Sequence, residues 1–382
     1  MSKMVYFNPI NDNFLDRSFQ KAIFPFQCLH HALFLSRFSI KYNCVRAHGR
    51  WYYMFSFFGI SCLLLYMYKY VAVMFMASVN SLVDFFLWLN LCFAFLPFVM
   101  FYCINIIQRR NHVKIILKIQ KAFRIVHYNG YRQCMLWNWF GVFCHVFWVI
   151  LSIGILQDIS VAASFYIMTY FDVNTTYGNS LIFLIRNGMT AWIAEVEYQC
   201  KTCLELEERK RCDHFRKLFQ AYEDLMEAYC LFKKLFQFPI LFLALYTFFL
   251  SLMYVQIIIE LRELKVSQFG AFHINEMTIL TVVWLLKNVF YIMMFSTSCE
   301  KFYMSVTDAR DTCYKMLKRF QKTAAVKNLC KNVLRSHRAT FHKMTACSIF
   351  TVDADLAHGF ASLEVEYIVV LLQFALTRFK LE

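Results

Sequence analysis

Residues 238–260 read FPILFLALYTFFLSLMYVQIIIE, and no charged side chain occurs among them before Glu260. A helix of this length extends about 35 Å, which is enough to cross the hydrocarbon core of a bilayer. The residues directly before it, 200–237, are by contrast rich in charge and also favour a helix. The sequence therefore predicts a membrane-spanning helix that follows a helical segment exposed to water.

Apolar residues dominate the rest of the chain as well. Of its 382 residues, 59% are hydrophobic and only 17% are charged, whereas a soluble domain has about 25% charged residues. Six further apolar stretches have a similar length, and proline and glycine are scarce enough to leave them uninterrupted. We therefore predict an all-α membrane protein with seven transmembrane helices. The predicted spans are 52–76, 83–106, 134–157, 179–199, 238–260, 276–297 and 358–380, and the apolar residues 158–172 could extend the third or the fourth.

The distribution of Lys and Arg predicts the orientation of these spans. The chain has 40 Lys and Arg against 25 Asp and Glu, and the basic residues are concentrated in the N-terminal region and in every second connection. Because such loops stay in the cytoplasm, the N-terminus is predicted to lie inside and the C-terminus outside. This alternation indicates membrane topology and not nucleic-acid binding. The predicted regions are a cytoplasmic N-terminal region (1–51), spans one to four (52–199), a cytoplasmic anchor segment (200–237), spans five and six (238–297), a second anchor segment (298–357), and the seventh helix with a short outer tail (358–382).

Two short motifs bear on this topology. Asn174-Thr175-Thr176 is an acceptor sequence for an N-linked glycan, and it falls in a connection predicted to lie outside. Cys200-x-x-Cys203 has part of the spacing of a zinc site, but no second Cys-x-x-Cys or His pair completes it. We therefore expect a glycan at Asn174 and no metal or cofactor.

The predicted topology excludes several classes of membrane protein. A G-protein-coupled receptor has its N-terminus outside, which would place most of the basic residues on the wrong side of the membrane. A secondary transporter usually shows an internal repeat and broken helices, and neither is visible here. The ionisable residues within spans are too scattered for catalysis, so we expect no enzyme and no catalytic residue. A channel or a receptor is the class that is left, with a transporter as the alternative from another class.

The seventh predicted span carries polar residues on one helical face. Ser362, Glu366, Val370, Gln373 and Thr377 follow one another at helical spacing. If several copies of this helix surrounded a pore, Glu366 would form a ring that favours cations and Gln373 a ring at a constriction. In the alternative reading, Gln373 bonds to a neighbouring helix and Glu366 lies near the membrane surface.

The same region resembles a known family. Residues 350–356 (FTVDADL), followed by Tyr367-Ile-Val-Val-Leu-Leu-Gln373-Phe374, are similar to the C-terminal signature of insect gustatory receptors, in which Thr-Tyr, five hydrophobic residues and Gln-Phe follow a stretch that ends in Asp. The Val352-Asp353-Ala354 element looks most like the receptors of moths and butterflies. One residue departs from the signature, because Glu366 stands where the family has threonine.

The resemblance implies the insect chemoreceptor fold and a ligand-gated, non-selective cation channel. It implies a tetramer, either of identical chains or with other gustatory receptors, that responds to a small-molecule tastant and requires no G protein. It also implies a multi-pass location in the lipid of the plasma membrane, at the dendrites of sensory neurons. The implied pore residues are Tyr367, Gln373 and Phe374, to which the helical pattern adds Glu366, Val370 and Thr377.

The family places its ligand in each subunit, between the outer halves of the helices. Aromatic side chains with a few polar groups are typical of a small-molecule site. The scarcity of acidic residues there favours bitter plant secondary compounds, with a sugar-sensing receptor and an odorant receptor subunit as alternatives. The candidate ligand-binding residues are Trp88, Phe147, Trp148, Arg186, Tyr254, Gln256, Thr281 and Trp284.

Overall fold

The computed structural model describes residues 13–76, 89, 92, 95, 98–156, 161–202, 208–263, 271–319 and 323–381. Within these ranges most of the chain is helical, and two short antiparallel hairpins connect helices. The predicted second span, 83–106, falls largely outside them. The helices are α1 (Arg17–Ala32), α2 (Arg50–Met76), α3 (Phe98–Ile107), α4 (Arg109–Ile125), α5 (Tyr131–Leu156), α6 (Val161–Thr202), α7 (Glu208–Glu263), α8 (Ala271–Arg319), α9 (Ala324–Thr340) and α10 (Ala354–Leu381).

Three of these helices are much longer than a bilayer requires. Helix α6 has 42 residues, α7 has 56 and α8 has 49, whereas about 20 residues span the hydrocarbon core. In α7 the charge-rich segment 208–237 and the apolar segment 238–259 belong to one continuous helix. The boundary predicted between the anchor segment and the fifth span therefore lies inside a helix and does not separate two elements.

The buried side chains form two cores that share the long helices. The upper core contains Tyr102 of α3, Tyr170 of α6, Leu250 of α7 and Trp284 of α8. The lower core is larger and contains, among others, Phe19 of α1, Phe123 of α4, Trp192 of α6, Tyr229 of α7, Phe302 of α8 and Leu329 of α9. Helices α6, α7 and α8 thus contribute to both cores, and the lower core includes residues of the charged anchor segments as well as residues of predicted spans.

The predicted fourth span, 179–199, lies in the C-terminal half of α6. About half of its residues pack in the lower core, where the Trp192 indole donates to the carbonyl of Leu218, 2.7 Å away. Helix α4, which packs beside them, carries Lys118, and Lys118 forms a 2.7 Å ion pair with the buried Asp224 of α7. Helix α6 contributes residues 170, 171 and 173 to the upper core. The bounds of the fourth span stay a prediction.

Four of the described helices contain segments that are long and apolar enough to cross a membrane. They are Tyr131–Leu151, Glu208–Ile259, Thr281–Arg319 and Ala354–Thr377. These segments coincide with the predicted third, fifth, sixth and seventh spans. The predicted first span is the 27-residue helix α2.

Asn174 lies inside α6 and not in an outer loop. Its side chain is only 4% exposed. Its oxygen accepts a hydrogen bond from the Arg37 guanidinium, and its amide nitrogen donates to the carbonyl of Tyr170 at 2.8 Å. A buried amide whose oxygen and nitrogen are both hydrogen-bonded cannot carry a glycan, so the folded structure contradicts the glycosylation prediction.

Tyr303 of α8 binds the residues that precede α10 and holds them against the lower core. A small hairpin, β3 (Thr345–Ala346) and β4 (Phe350–Thr351), precedes the helix, as β1 (Ser39–Lys41) and β2 (Cys44–Arg46) follow α1. The Tyr303 hydroxyl donates to the carbonyl of Val352 and accepts from the amide of Met344, both at 3.0 Å. Lys343 pairs with Asp353 at 3.3 Å. The Val352-Asp353 part of the family signature therefore anchors the start of the seventh span.

Candidate functional site

Helix α10 has two opposite faces. One of them packs against α7 and α8, and it consists of the buried Phe360 and Glu364 and the half-buried Ile368, Leu371 and Ala375. These positions recur at helical spacing. The face that bears the predicted pore residues is shifted by two positions along the helix, and this shift rotates it by about 200°. The subunit therefore turns the predicted pore face away from its own core.

The predicted pore residues are all exposed on the single subunit. The Ser362 hydroxyl donates to the Glu366 carboxylate at 3.3 Å, and the Thr377 hydroxyl donates to the backbone carbonyl of Gln373 at 2.8 Å. Glu366, Val370, Gln373 and Thr377 share one face. An exposed carboxylate and amide on a spanning helix must face water or another protein, since contact with lipid is costly.

The two aromatic pore candidates differ in their surroundings. Phe374 is 72% exposed and projects away from the subunit. Tyr367 is half exposed, and its ring forms an edge contact with Phe248 of α7 at a centroid distance of 5.3 Å. Tyr367 therefore lies at the margin between the exposed face and the packed face.

A second carboxylate on α10, Glu364, is absent from the residues selected by sequence. Glu364 is 2% exposed and accepts a hydrogen bond from the Ser251 hydroxyl of α7 at 2.5 Å. It lies two residues before Glu366 and so points to the opposite side. The helical spacing from Phe360 through Glu364 to Ile368 is the sequence signal that could have identified it as a contact between α7 and the seventh span.

Three of the ligand-site candidates, Trp148 of α5, Tyr254 of α7 and Trp284 of α8, border a buried polar cluster in the upper core. Lys287 of α8 forms a 2.5 Å ion pair with Asp172 of α6, and its ammonium lies 5.4 Å from the centre of the Trp148 ring. Trp284, one helical turn before Lys287, contacts Tyr254 at a centroid distance of 5.7 Å. Aromatic walls around a few buried polar groups describe the lining of a small-molecule site.

Two further residues complete this cluster, which we call the Asp172–Lys287 cluster; the sequence analysis treats the ionisable residues within spans as scattered and selects neither these two nor the ion pair as ligand-site candidates. His145 of α5 lies 3.0 Å from the Thr176 hydroxyl, and the Tyr291 hydroxyl lies 3.4 Å from its other ring nitrogen. The cluster thus consists of Asp172, Lys287, His145, Trp148 and Tyr291, with Trp284 and Tyr254 beside it. The sequence contains a Lys in one predicted span and an Asp near another. These residues can be recognised as an ion pair only when the two helices are known to be neighbours.

Two other selected residues, Phe147 and Arg186, lie elsewhere. Phe147 is 54% exposed and stacks on Phe143, on the outer side of α5. Arg186 lies on α6 between Ile185 and Met189 of the lower core. Gln256 and Thr281 are half-buried on α7 and α8, and Trp88 lies outside the described residues.

In the part of the chain that the structure describes, there is no group of three or more His, Cys, Asp or Glu side chains that could hold a metal ion. Cys203 of the Cys-x-x-Cys motif is outside that part.

Comparisons with known proteins define the fold. No protein-family model matches the sequence, and no curated protein does. Solved structures do match. The structure of the insect olfactory receptor OR5 from Machilis hrabei aligns with a TM-score of 0.54 at 12% identity, over 85% of this chain and 90% of that chain. The structure of the same receptor in complex with eugenol aligns with a TM-score of 0.60 at 13% identity, over 94% of this chain and 100% of that chain.

The chain therefore has the fold of the insect chemoreceptors, a multi-pass membrane architecture with seven transmembrane helices. This confirms the predicted fold class. The fold alone does not distinguish a taste receptor from an odour receptor.

Proposed function

We propose that the chain is a gustatory receptor, a ligand-gated and non-selective cation channel that responds to bitter plant secondary compounds. The exposed polar face of α10 carries this proposal. Glu366, Gln373 and Thr377 need water or a partner on the side that the subunit leaves open. Four copies around an axis would supply both, with Glu366 as a ring that favours cations and Gln373 beside Phe374 at the constriction.

The ligand of this channel would bind beside the Asp172–Lys287 cluster. Trp148, Tyr254 and Trp284 offer aromatic walls, and the ion pair offers one polar anchor. The solved olfactory receptor of the same fold binds eugenol, which is a small aromatic molecule. A flat, largely apolar plant compound with one hydrogen-bonding group fits these walls better than a sugar, which needs many polar partners.

An odorant receptor subunit is the second candidate function, because the matching structures are olfactory receptors. Whole-cell recording separates the two functions. We expect cells that express this chain alone, with G-protein signalling blocked, to give cation currents within milliseconds of adding plant alkaloids or glycosides. Currents that arise only when a co-receptor subunit is present would favour the odorant function. A response to sugars alone would contradict the bitter assignment.

The role of Glu366 in ion selection is testable by Glu366→Gln. If the carboxylate faces the pore, we expect the variant to conduct with a lower permeability to divalent relative to monovalent cations, by roughly threefold or more, because the negative ring is removed. Reversal potentials in mixed ionic solutions measure this ratio. Asp355→Asn, at the exposed start of α10, is the matched control. Unchanged permeability and rectification in Glu366→Gln would exclude Glu366 from the pore.

Substitutions at Trp284 and Phe147 are expected to differ in their effect on ligand sensitivity. Trp284→Ala removes a buried wall of the proposed ligand site, so the half-maximal ligand concentration should rise by about tenfold or more. Phe147→Ala removes an aromatic ring from the outer surface of α5 and should leave that concentration unchanged. Dose–response curves at matched surface expression provide the measurement. Equal shifts in both variants would argue against a ligand site at Trp284.

A further inference from the structure

Glu364 of α10 is a buried carboxyl group inside a predicted span, and the proposed pore face does not include it. It is 2% exposed, and Ser251 of α7, which donates to its Oε2 at 2.5 Å, is 1% exposed. Among the described residues, its Oε1 has no hydrogen-bond partner. An ionisable group within a span is costly to bury and usually has a function. The bond from Ser251 is therefore the interaction from which to infer the role of Glu364.

A ring contact accompanies this hydrogen bond between α7 and α10. Tyr367 packs edge-on against Phe248 with a centroid distance of 5.3 Å. Each of these rings is three residues, or about 4.5 Å along its helix, from the bonded pair. Phe360, one turn before Glu364, is buried on the same face of α10. A polar bond and an aromatic contact thus attach α10 to one short segment of α7.

The same segment of α7 carries a wall of the proposed ligand site on another side. The rings of Tyr246 and Tyr254 lie 6.1 Å and 5.7 Å from the ring of Trp284, measured between centroids. Leu250, between the two tyrosines, is buried in the upper core. Ser251 is the next residue, and it lies only three positions before Tyr254. A displacement of α7 at the ligand site therefore displaces the attachment point of α10.

The pore face of α10 lies on the other side of the attached helix. Glu366 follows Glu364 by two positions, which corresponds to a rotation of about 200°. A close-packed helix moves as a unit, so a shift at Glu364 is carried across α10 to the residues of the pore face. The chain of contacts runs from the ligand wall through Ser251 and Glu364 to that face.

We propose that the hydrogen bond between Ser251 and Glu364 couples ligand binding to channel opening. Glu364 is a positioning residue that makes α10 follow α7 when a ligand displaces the wall of its site. This inference rests on the proposed function, since it requires both the ligand site and the pore. It gives the two carboxyl groups of α10 different roles, because Glu364 acts on the probability of opening and Glu366 on the choice of ion.

Single-channel recording from cells that express the full-length chain tests this role. The agonist is the member of a fixed panel, consisting of caffeine, quinine, salicin and eugenol, that gives the unmodified chain its largest current. We expect Ser251→Ala and Glu364→Leu each to lower the open probability at saturating agonist by about fivefold or more, because α10 no longer follows α7. The double variant should fall no further than the lower of the two single variants.

The conservative variant Glu364→Gln separates coupling from ion selection. Its side-chain oxygen can still accept from Ser251, so the open probability should stay within about twofold of the unmodified chain. Single-channel conductance and cation permeability should be unchanged in all these variants, because Glu364 does not lie on the pore face. Open probability is measured for each channel that has reached the surface, so a loss of folded protein does not lower it.

Ser298→Ala is the matched control, because this α8 hydroxyl donates to the carbonyl of Met294 within its own helix at 2.7 Å. It should leave the open probability unchanged. If Glu364→Leu does not reach the surface, Ser251→Ala decides the matter. An unchanged or raised open probability in Ser251→Ala, or a loss in Glu364→Gln as large as in Glu364→Leu, overturns the proposal. A silent unmodified chain at normal surface expression would contradict the proposed function as well.

Discussion

Gln373→Lys is expected to abolish the ligand-evoked current. Gln373 lies on the exposed face of α10, opposite the stripe that packs against α7 and α8. In a tetrameric pore the substitution would place four ammonium groups around the cation pathway. Even at a few ångströms in a partly hydrated pore, one such charge opposes a cation by about 1–4 kcal/mol, which amounts to at least a fivefold loss of conductance for each lysine that acts.

Gln373→Glu is the matched control, because it has the same size and introduces the opposite charge. We expect this variant to conduct, with equal or greater preference for cations. Surface biotinylation of both variants shows whether they reach the membrane, and whole-cell currents at saturating ligand give the effect. Normal currents in Gln373→Lys at normal surface expression would mean that Gln373 faces a neighbouring helix or lipid.

Breaking the ion pair between Asp172 and Lys287 is expected to destabilise the protein strongly. The two side chains are 4% and 13% exposed, and their charged atoms lie 2.5 Å apart. Asp172→Asn leaves the buried ammonium of Lys287 without its carboxylate, and Lys287→Met leaves the buried carboxylate of Asp172 without its ammonium. Either single change should lower the free energy of unfolding by about 3–5 kcal/mol, since it uncovers a buried charge.

The double variant Asp172→Asn/Lys287→Met should recover much of this loss, because it removes both charges together. The melting temperatures of the two single variants and the double variant are measured on detergent-solubilised protein, with size-exclusion chromatography after heating as the readout. Asp213→Asn breaks the exposed pair with Arg216 and should have almost no effect. Additive losses in the double variant would show that the two groups are not coupled.

The pattern of α10 can be read from the sequence because the helix is isolated on one side. Its polar residues recur every three or four positions, and no other element in the described part of the chain covers them, so spacing alone predicts which side chains are exposed. The pore role of that face stays a prediction. The same spacing places Glu364 on the opposite face with Phe360 and Ile368, but the sequence does not indicate that Ser251 of α7 is its hydrogen-bond partner.

Hydropathy alone does not fix the bounds of the fourth span. Leu181, Ile185 and Trp192 fill the lower core, and a helix buried in a protein core has the same composition as a membrane span. The triplet at Asn174 was placed in a loop because hydropathy does not show that α6 continues through it.

The hairpin β1–β2 illustrates a different limit. Its turn residues Tyr42 and Asn43 both have positive φ values, of 53° and 62°, as a two-residue hairpin requires. A tyrosine in that conformation is unusual and carries no turn signal. The packing of Val45 in the lower core fixes the hairpin, and such long-range packing is not visible in a local pattern.

Cysteine accessibility along α10 tests most directly the claim that this helix lines a cation pore. Single cysteines would be introduced at Glu366, Val370, Gln373 and Thr377, and at Ile368, Leu371 and Ala375 as the packed-face set, and a charged thiol reagent would be applied during ligand-evoked current. We predict that the reagent blocks the current when the cysteine is at a position of the first set. The current should stay unchanged for the packed-face set and for the chain without an introduced cysteine. Block confined to the packed-face set, or no block at any position despite normal currents, would contradict the account.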